Sequence, residues 1–309
     1  MSDKLQKILF QNANVRGGLV ELSDAWTEML SHQAYPTPVI RLLGEMTAAV
    51  ALLSGSIKFN GSTVMQIHGD GPVRLLVVEC SNTMQIRATA KLNDHIPVQE
   101  TDTFSRLVNA NGQGRCIITL DPHEKIPGQR PYQGIVSLDG RTVAEVIENY
   151  MKRSEQLDTR IWLAADTANA KGLMLQRMPA QLDEKGAAIT DSKDDEDHWH
   201  HLVALASTLT ANEMLATDIE TLQHRLFWEE DMTAFDALHP VFHCSCSREK
   251  VGNMLKMLGH AEVNQALKEQ GALTINCDYC GKSYTFDSID CNALFSPTIT
   301  SDPPSGTRH

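Results

Sequence analysis

The sequence lacks the features that would place it on nucleic acid or in a membrane. Its 309 residues carry 27 Lys and Arg against 39 Asp and Glu, a formal net charge of -12. Because an acidic chain repels phosphate groups, this balance disfavours nucleic acid and anionic lipid surfaces as partners. The most apolar run, 46–57, is shorter than the roughly 20 residues that a membrane-crossing helix needs. We therefore predict no membrane insertion.

A secretion signal and a nucleotide-binding loop are also missing from the pattern. Charges at Asp3, Lys4 and Lys7 interrupt the N-terminal segment, so it does not resemble a signal peptide. This predicts a cytoplasmic protein, in which clustered cysteines bind metal or react with oxidants rather than form a permanent disulfide framework. The sequence Gly69-Asp70-Gly71-Pro72 predicts a turn, since no Lys-Ser/Thr pair follows it. We expect no use of ATP.

Residues 1–180 are predicted to form an α/β (α+β) domain with a mixed or antiparallel sheet. A buried helix is predicted from Pro38, because proline is tolerated in a first helical turn. Short β-branched runs bounded by Gly and Pro follow, and they predict five strands from residue 62 to 138. A helix from Arg141 and two closing strands, "RIWLAAD" and "GLMLQRMP", complete this domain.

Residues 181–240 are predicted to form a linker that is acidic first and helical afterwards. The stretch from Asp183 to Asp197 holds seven acidic and two basic residues. Two short helical segments follow, "HLVALASTL" and "TDIETLQHRLFWEED", and Thr210 with Glu213 has the spacing of a capping box. Helices this short depend on packing against something else, so the linker is expected to be metastable.

Residues 241–291 are predicted to form a small metal-binding domain, and 292–309 a loose tail. An amphipathic helix is expected to end at Gly259 and a second helix at Gly271. The segments "ALTIN" and "KSYTF" have the pattern of a hairpin around a cysteine pair.

Four cysteines in this last region have the spacing of metal ligands. Cys244 and Cys246 form a C-x-C pair, and Cys277 and Cys280 form a C-x-x-C pair further along the chain. Two close pairs separated by a helical insertion suit a tetrahedral Cys₄ site for one Zn²⁺. A purely structural zinc ion and a regulatory one are both compatible with this pattern, because a module of this size barely stabilises itself by burial alone.

The chemistry of such a site favours a switch. Thiolates are the form that oxidants attack, and each cysteine has a partner beside it in sequence. We therefore expect oxidation to form Cys244–Cys246 and Cys277–Cys280. These disulfides close only small loops, which constrain the chain little, and they do not replace a metal that ties two distant segments. Oxidation is expected to release zinc, unfold this domain and expose apolar surface. The residues alone indicate a chaperone only weakly.

Several segments together resemble the redox-regulated, thirty-three-kilodalton heat-shock chaperone family of bacteria. They are "PYQGIVSL", "YMKRSEQLDTRIWLAA", "GLMLQRMPA" and "CSCSREKV", and the resemblance extends from about Lys4 to Asp290. It implies a holdase that is inactive when reduced and zinc-bound. Oxidation would form the disulfides, release zinc, unfold the C-terminal region and let the protein, often as a homodimer, hold unfolded proteins without ATP. Asp158 departs from the family pattern, where proline is more usual.

The remaining cysteines and the candidate histidines are predicted not to bind metal. Cys80 and Cys116 lie in apolar strand-like runs and are expected to be buried and inert, and Cys291 to be a bystander. The histidines His198, His200 and His201 are expected at a solvated helix start rather than in a second metal site. His243 adjoins Cys244, but four cysteines already complete a coordination sphere.

Two other functions fit parts of the pattern. A zinc-ribbon nucleic-acid or translation factor should be basic, whereas His243 to Cys291 holds five Lys and Arg against six Asp and Glu. A thiol oxidoreductase usually places its C-x-x-C at a helix N-terminus, whereas a strand-like segment follows Cys280. We therefore predict that the protein is not an enzyme.

Overall fold

The computed structural model describes residues 3–11, 13–124, 131–179 and 192–295. The chain divides into two compact units, Met1–His243 and Cys244–His309. Most of the predicted acidic stretch, and the predicted tail from residue 296 onwards, lie outside the described residues. The predicted linker therefore enters the description at residue 192, and its described part belongs to the first unit.

The strands and helices alternate irregularly along the chain. The described strands are β1 (Lys4–Phe10), β2 (Val15–Leu22), β3 (Gly61–His68), β4 (Val73–Ser81), β5 (Gln85–Leu92), β6 (Arg115–Pro122), β7 (Tyr132–Ser137), β8 (Thr159–Ala165), β9 (Ala170–Arg177), β10 (Met232–Ala234), β11 (Val241–Phe242), β12 (Leu273–Asn276) and β13 (Ser283–Phe286). The described α-helices are α1 (Asp24–Ser31), α2 (Thr37–Ser56), α3 (Phe104–Val108), α4 (Val143–Tyr150), α5 (Ser192–Ala206), α6 (Ala211–Ala216), α7 (Ile219–Phe227), α8 (Arg248–Leu258), α9 (His260–Gln270) and α10 (Ser288–Phe295). A π-helical turn, Met151–Glu155, continues α4.

Two sheets form the body of the first unit, which confirms the predicted α+β class. One sheet is antiparallel, with the order β10-β1-β2-β9-β8. The other has the order β11-β5-β4-β3-β6-β7 and is mixed, because β11 pairs with β5 in parallel. The five strands predicted between residues 62 and 138, and both closing strands, are present.

The hairpin of β1 and β2 was not predicted, because Gly17 and Gly18 weaken the strand signal of β2. The structure gives a reason for both glycines. A Cβ atom at Gly17 would lie 2.8 Å from Ile8 Cγ1, and one at Gly18 would lie 3.3 Å from Leu52 Cδ2. Neighbouring side chains therefore occupy the space beside both glycines. For this reason β2 lacks the alternating apolar residues from which a strand is predicted.

Helix α2 is the central core helix of the first unit. It contacts strands of both sheets, and residues such as Val39, Met46 and Val50 are fully buried. Its 20 residues are long and apolar enough to cross a membrane. The apolar run 46–57 overlaps the C-terminal half of this helix, and its length alone therefore did not describe the helix, whereas the predicted buried helix from Pro38 is confirmed. Most of its surface is instead buried inside the protein.

Glu45 on α2 makes the stability of the first unit depend on pH. Burial raises the pKa of its carboxyl group to about 7, against the opposing charge of Arg41. Because this pKa is raised on folding, the contribution of Glu45 to the free energy of unfolding is highest below about pH 4.5 and is lost as the pH rises to about 7.

We expect Glu45→Gln to stabilise the first unit by on the order of 2 kcal/mol at pH 8 and to have little effect at pH 4.5. Tryptophan fluorescence during urea unfolding reports on this unit alone, because all four tryptophans, Trp26, Trp162, Trp199 and Trp228, belong to it. The exposed Glu28 provides the control Glu28→Gln. An equal effect of Glu45→Gln at both pH values would contradict the assignment.

The linker helices pack on one face of the antiparallel sheet. Helices α5, α6 and α7 bury Trp199, Leu202, Met214, Leu222 and Phe227 in a core that also contains Ile8, Phe10, Leu19, Leu173 and Leu175 from the sheet. The N-cap half of the predicted capping box is present, since Thr210 Oγ1 accepts a hydrogen bond from the backbone N–H of Glu213. The packing that these short helices require is thus supplied by the first unit itself.

The second unit combines a hairpin with three helices. The predicted helices end at Gly259 and Gly271, and β12 pairs with β13 as predicted. Helix α10 continues to Phe295, past residue 291, after which the loose tail was predicted to begin. Leu294 and Phe295 pack against the small core of this unit, which explains the extension.

Candidate metal centre

The second unit brings the four predicted ligands together from two turns. Cys244 and Cys246 lie just before α8, whose first turn is capped by Ser247. Cys277 and Cys280 lie in the turn between β12 and β13. The hairpin register, Asn276 opposite Ser283, fixes the ends of that turn.

The turn that carries the second pair has a defined shape. The backbone N–H of Gly281 donates to the carbonyl of Cys277 at 2.9 Å, and the N–H of Cys277 donates to Lys282 O at 2.9 Å. Gly281 adopts a φ of 66°, in the left-handed region that favours glycine. The glycine after Cys280 is therefore explained by the backbone.

The sulfur atoms form one compact cluster. All four Sγ atoms lie within 4.8 Å of one another. The distance is 3.6 Å between Cys244 and Cys277 and 3.4 Å between Cys246 and Cys280. Zn–S bonds of about 2.3 Å place the sulfurs of a regular tetrahedron about 3.8 Å apart. The size and the soft sulfur donors of the cluster therefore fit one tetrahedral zinc ion, with each pair contributing two ligands.

Tyr284 lowers the pKa of one cysteine in this cluster. The sequence pattern did not predict its contact with the cluster. Its hydroxyl donates a hydrogen bond to Cys246 Sγ at 3.1 Å. Desolvation disfavours the Cys246 thiolate, but the hydrogen bonds from Tyr284 and the neighbouring thiols outweigh it and lower the pKa to about 7. Desolvation raises the pKa of Cys280 to about 12 and also raises that of Cys244. The four sulfurs are thus chemically unequal.

Arg248 contacts three elements of the second unit. Its structural role was not predicted from the sequence, although it lies in the segment "CSCSREKV". Its guanidinium donates to Thr285 O at 2.7 Å, pairs with Asp290 at 2.7 Å and lies 4.3 Å from the centre of the Phe286 ring. These contacts connect α8, β13 and α10 beside the ligand turns. The positive charge after the first cysteine pair was its only sequence signal.

We expect Arg248→Ala to destabilise the second unit by about 1–2 kcal/mol, because it removes a charge-assisted hydrogen bond and a cation–π contact. Hydrogen exchange of amides in α8 and α10 should speed up. Lys250→Ala, two residues along the same helix, serves as the control and should leave exchange unchanged. Equal exchange in both variants would show that Arg248 does not connect these elements.

The other cysteines are where the sequence predicted them. Cys80 and Cys116 are fully buried in the first unit, and burial raises the pKa of each thiol to about 12. Cys291 is buried in the core of the second unit, and desolvation raises its pKa. In the described part of the chain, no metal-ligand cluster includes any of the three.

The candidate histidines are not brought together as a second metal site in the part of the chain that the structure describes. They lie on α5, where His201 Nε2 is 3.0 Å from Glu230 Oε1 and His200 Nε2 is 3.8 Å from Glu196 Oε1. His243 belongs to the first unit, where its backbone N–H donates to Ile86 O. The segment after Cys280 is strand β13, as the sequence predicted, and not the helix typical of a thiol oxidoreductase.

Comparison with known proteins identifies the family. The family model described as Hsp33 protein matches residues 3–287. The chain is 43% identical over 310 residues to the 33 kDa chaperonin of Methylobacillus flagellatus, covering all of this chain and 99% of that protein. It is 43% identical over 309 residues to the 33 kDa chaperonin of Pseudomonas paraeruginosa, with the same coverage.

A solved structure shares the fold. The crystal structure of the 33 kDa chaperonin, a heat shock protein 33 homologue, from Thermotoga maritima matches with a TM-score of 0.76 at 18% identity. The match covers 94% of this chain and 97% of that one. The family model and the two relatives at 43% identity show that the chain belongs to the Hsp33 family.

Proposed function

We propose that this protein is a redox-regulated, ATP-independent holdase chaperone of the cytoplasm. The observation that carries the proposal is the cluster of four sulfurs, which come from two segments far apart in the sequence. Cys244, Cys246, Cys277 and Cys280 would hold one Zn²⁺ in the reduced, inactive form. The metal would tie the turn before α8 to the β12–β13 turn, and its loss would remove that cross-link.

Oxidation supplies the switch. For each cysteine pair, one molecule of hydrogen peroxide would take two electrons from the two thiolates and two protons from solvent and be reduced to two molecules of water, while the two sulfurs form a disulfide and no longer hold the metal. We propose Cys244–Cys246 and Cys277–Cys280 as the products. The short sulfur distances run between the pairs, so the alternative products Cys244–Cys277 and Cys246–Cys280 are also within geometric reach. Only the first set leaves the two segments untied and allows the unit to unfold.

The described packing of the linker suggests the surface that activation exposes. Besides its apolar core, the linker is held by polar contacts to the sheet. Lys171 of β9, which also pairs with Glu21 of β2, donates to Thr217 O in the linker at 2.9 Å, and Arg177 of β9 pairs with Asp195 of α5 at 2.9 Å. Release of α5–α7 would uncover an apolar sheet face that fits unfolded proteins.

The connection between the switch and this face is covalent. From α7 the chain runs through β11 into Cys244, so unfolding of the second unit acts on the linker through the chain. We propose unfolded or aggregation-prone proteins as partners, a homodimer in the oxidised state, and no role for nucleic acid or ATP.

Light scattering of a thermally unfolding client tests the proposal. The protein is added without ATP, either reduced and zinc-loaded or oxidised by peroxide under mild heat. We expect only the oxidised form to suppress aggregation, and peptide mapping to find disulfides within each sequence pair. Suppression by neither form would refute the chaperone, and disulfides between the pairs would refute the proposed mechanism of unfolding.

A further inference from the structure

A cavity in the first unit lies beside the C-terminal end of α2, and neither the metal centre nor the linker accounts for it. Its volume is about 420 Å³, in the range of small-molecule sites. Most of its wall is apolar. The apolar side chains include Leu5, Leu9, Leu52, Met174, Met178 and Phe235.

The strand register places two cations on the same face of the sheet in this cavity. Lys7 lies opposite Gly18, and Leu9 lies opposite Arg16. Because side chains alternate along a strand, Lys7 and Arg16 share the face that carries Leu5 and Met174. That face packs on α2, and the opposite face carries the linker helices. The cavity is therefore distinct from the surface proposed for clients.

The charges that line the cavity have one sign. Lys7, Arg16 and Lys58 line it, and no Asp or Glu is among its described lining residues. Arg16 donates to Gln176 Oε1 and, at 3.1 Å, to Ser56 O, both of them neutral acceptors. None of the three cations has an ion-pair partner within the described residues. Burial lowers the pKa of Arg16, which reflects the cost of this charge without a counter-ion.

The position of Lys7 and Arg16 favours an anion between them. They occupy diagonal positions on neighbouring strands, where like charges repel one another. Gly18, opposite Lys7 and two residues from Arg16, has no side chain to fill the space between them. A Cβ atom there would already lie 3.3 Å from Leu52 Cδ2. Leu52 therefore packs over Gly18 as part of the apolar wall, and the two cations lie beside it.

We propose that this cavity binds a small amphipathic carboxylate, a single alkyl chain with one anionic head. The head lies between Lys7 and Arg16, where it neutralises both charges, and Lys58 adds attraction at the rim. The chain lies on the apolar wall beneath α2. Binding occurs in the reduced, zinc-loaded protein and does not depend on the proposed redox switch.

Isothermal titration of the reduced full-length protein with decanoate, below the concentration at which it forms micelles, tests the site. We expect saturable binding of one decanoate per chain. Lys7→Gln and Arg16→Gln should each weaken it at least about fivefold, and decanol, which lacks the charge, should bind at least about tenfold more weakly. Lys152→Gln is the control, because its exposed ammonium lies outside the cavity, and it should bind as the wild type does.

Thermal melting of each variant verifies that it folds. If Arg16→Gln is unfolded, because it also loses the contact to the end of α2, Lys7→Gln decides the outcome. Unchanged affinity in Lys7→Gln, equal binding of decanol and decanoate, or the lack of saturable binding would each overturn the proposal. If the protein co-sediments with phosphatidylglycerol vesicles but does not bind decanoate, the cations bind a lipid surface. That result would also overturn the proposal.

Discussion

Cys277→Ala is expected to weaken zinc binding by more than about a hundredfold under reducing conditions. Changes to groups that merely orient metal ligands already cost about 10–100-fold, and this change removes a ligand itself. The second unit should loosen at the same time, because its buried core is small. Competition with a chromogenic chelator measures the affinity, and hydrogen exchange in β12 and β13 measures the loosening.

Cys291→Ala is the matched control for this experiment. It removes a cysteine from the same unit, but Cys291 is buried in the core and lies outside the sulfur cluster. The control should bind one zinc ion with the affinity of the wild type. If Cys277→Ala retained tight zinc, or if both variants lost it equally, the four-cysteine assignment would be wrong.

Phe227→Ala is expected to give a protein that suppresses aggregation without oxidation. Phe227 is fully buried where α7 meets the sheet, and its ring packs edge-on against Phe10 with centroids 5.2 Å apart. Truncation of such a side chain costs about 3–5 kcal/mol. Since α7 has only nine residues and is marginal as an isolated helix, we expect this loss to release it from the sheet. Light scattering with reduced protein, and binding of an apolar dye, measure the result.

Trp228→Ala provides the control for that variant. Trp228 follows directly in sequence and is also a large aromatic residue, but its side chain is 67% exposed. The reduced control should remain inactive and should become active on oxidation. If Phe227→Ala were folded and still needed oxidation, the linker would not be what covers the client surface.

The four-cysteine cluster could be predicted from the sequence because its residues lie in two short local motifs. The spacing C-x-C and C-x-x-C places two sulfurs in each of two tight turns, and only cysteines bring that density of soft donors. The helices around the site carried clear amphipathic patterns and glycine ends. The roles of Tyr284 and Arg248 were not predictable, because the hydrogen bond to Cys246 and the contact with Phe286 each join residues that are distant in the sequence.

The sequence by itself determined the α+β class, most strands of the mixed sheet, the central helix and the two cysteine pairs, since each follows from local periodicity and turn chemistry. Only the tertiary structure decided that β1 and β2 join the antiparallel sheet and that the linker helices cover one face of that sheet. It also decided that Lys7 and Arg16 share one cavity. Those features depend on strand pairing and close packing between distant segments, for which the glycines of β2 leave almost no local signal.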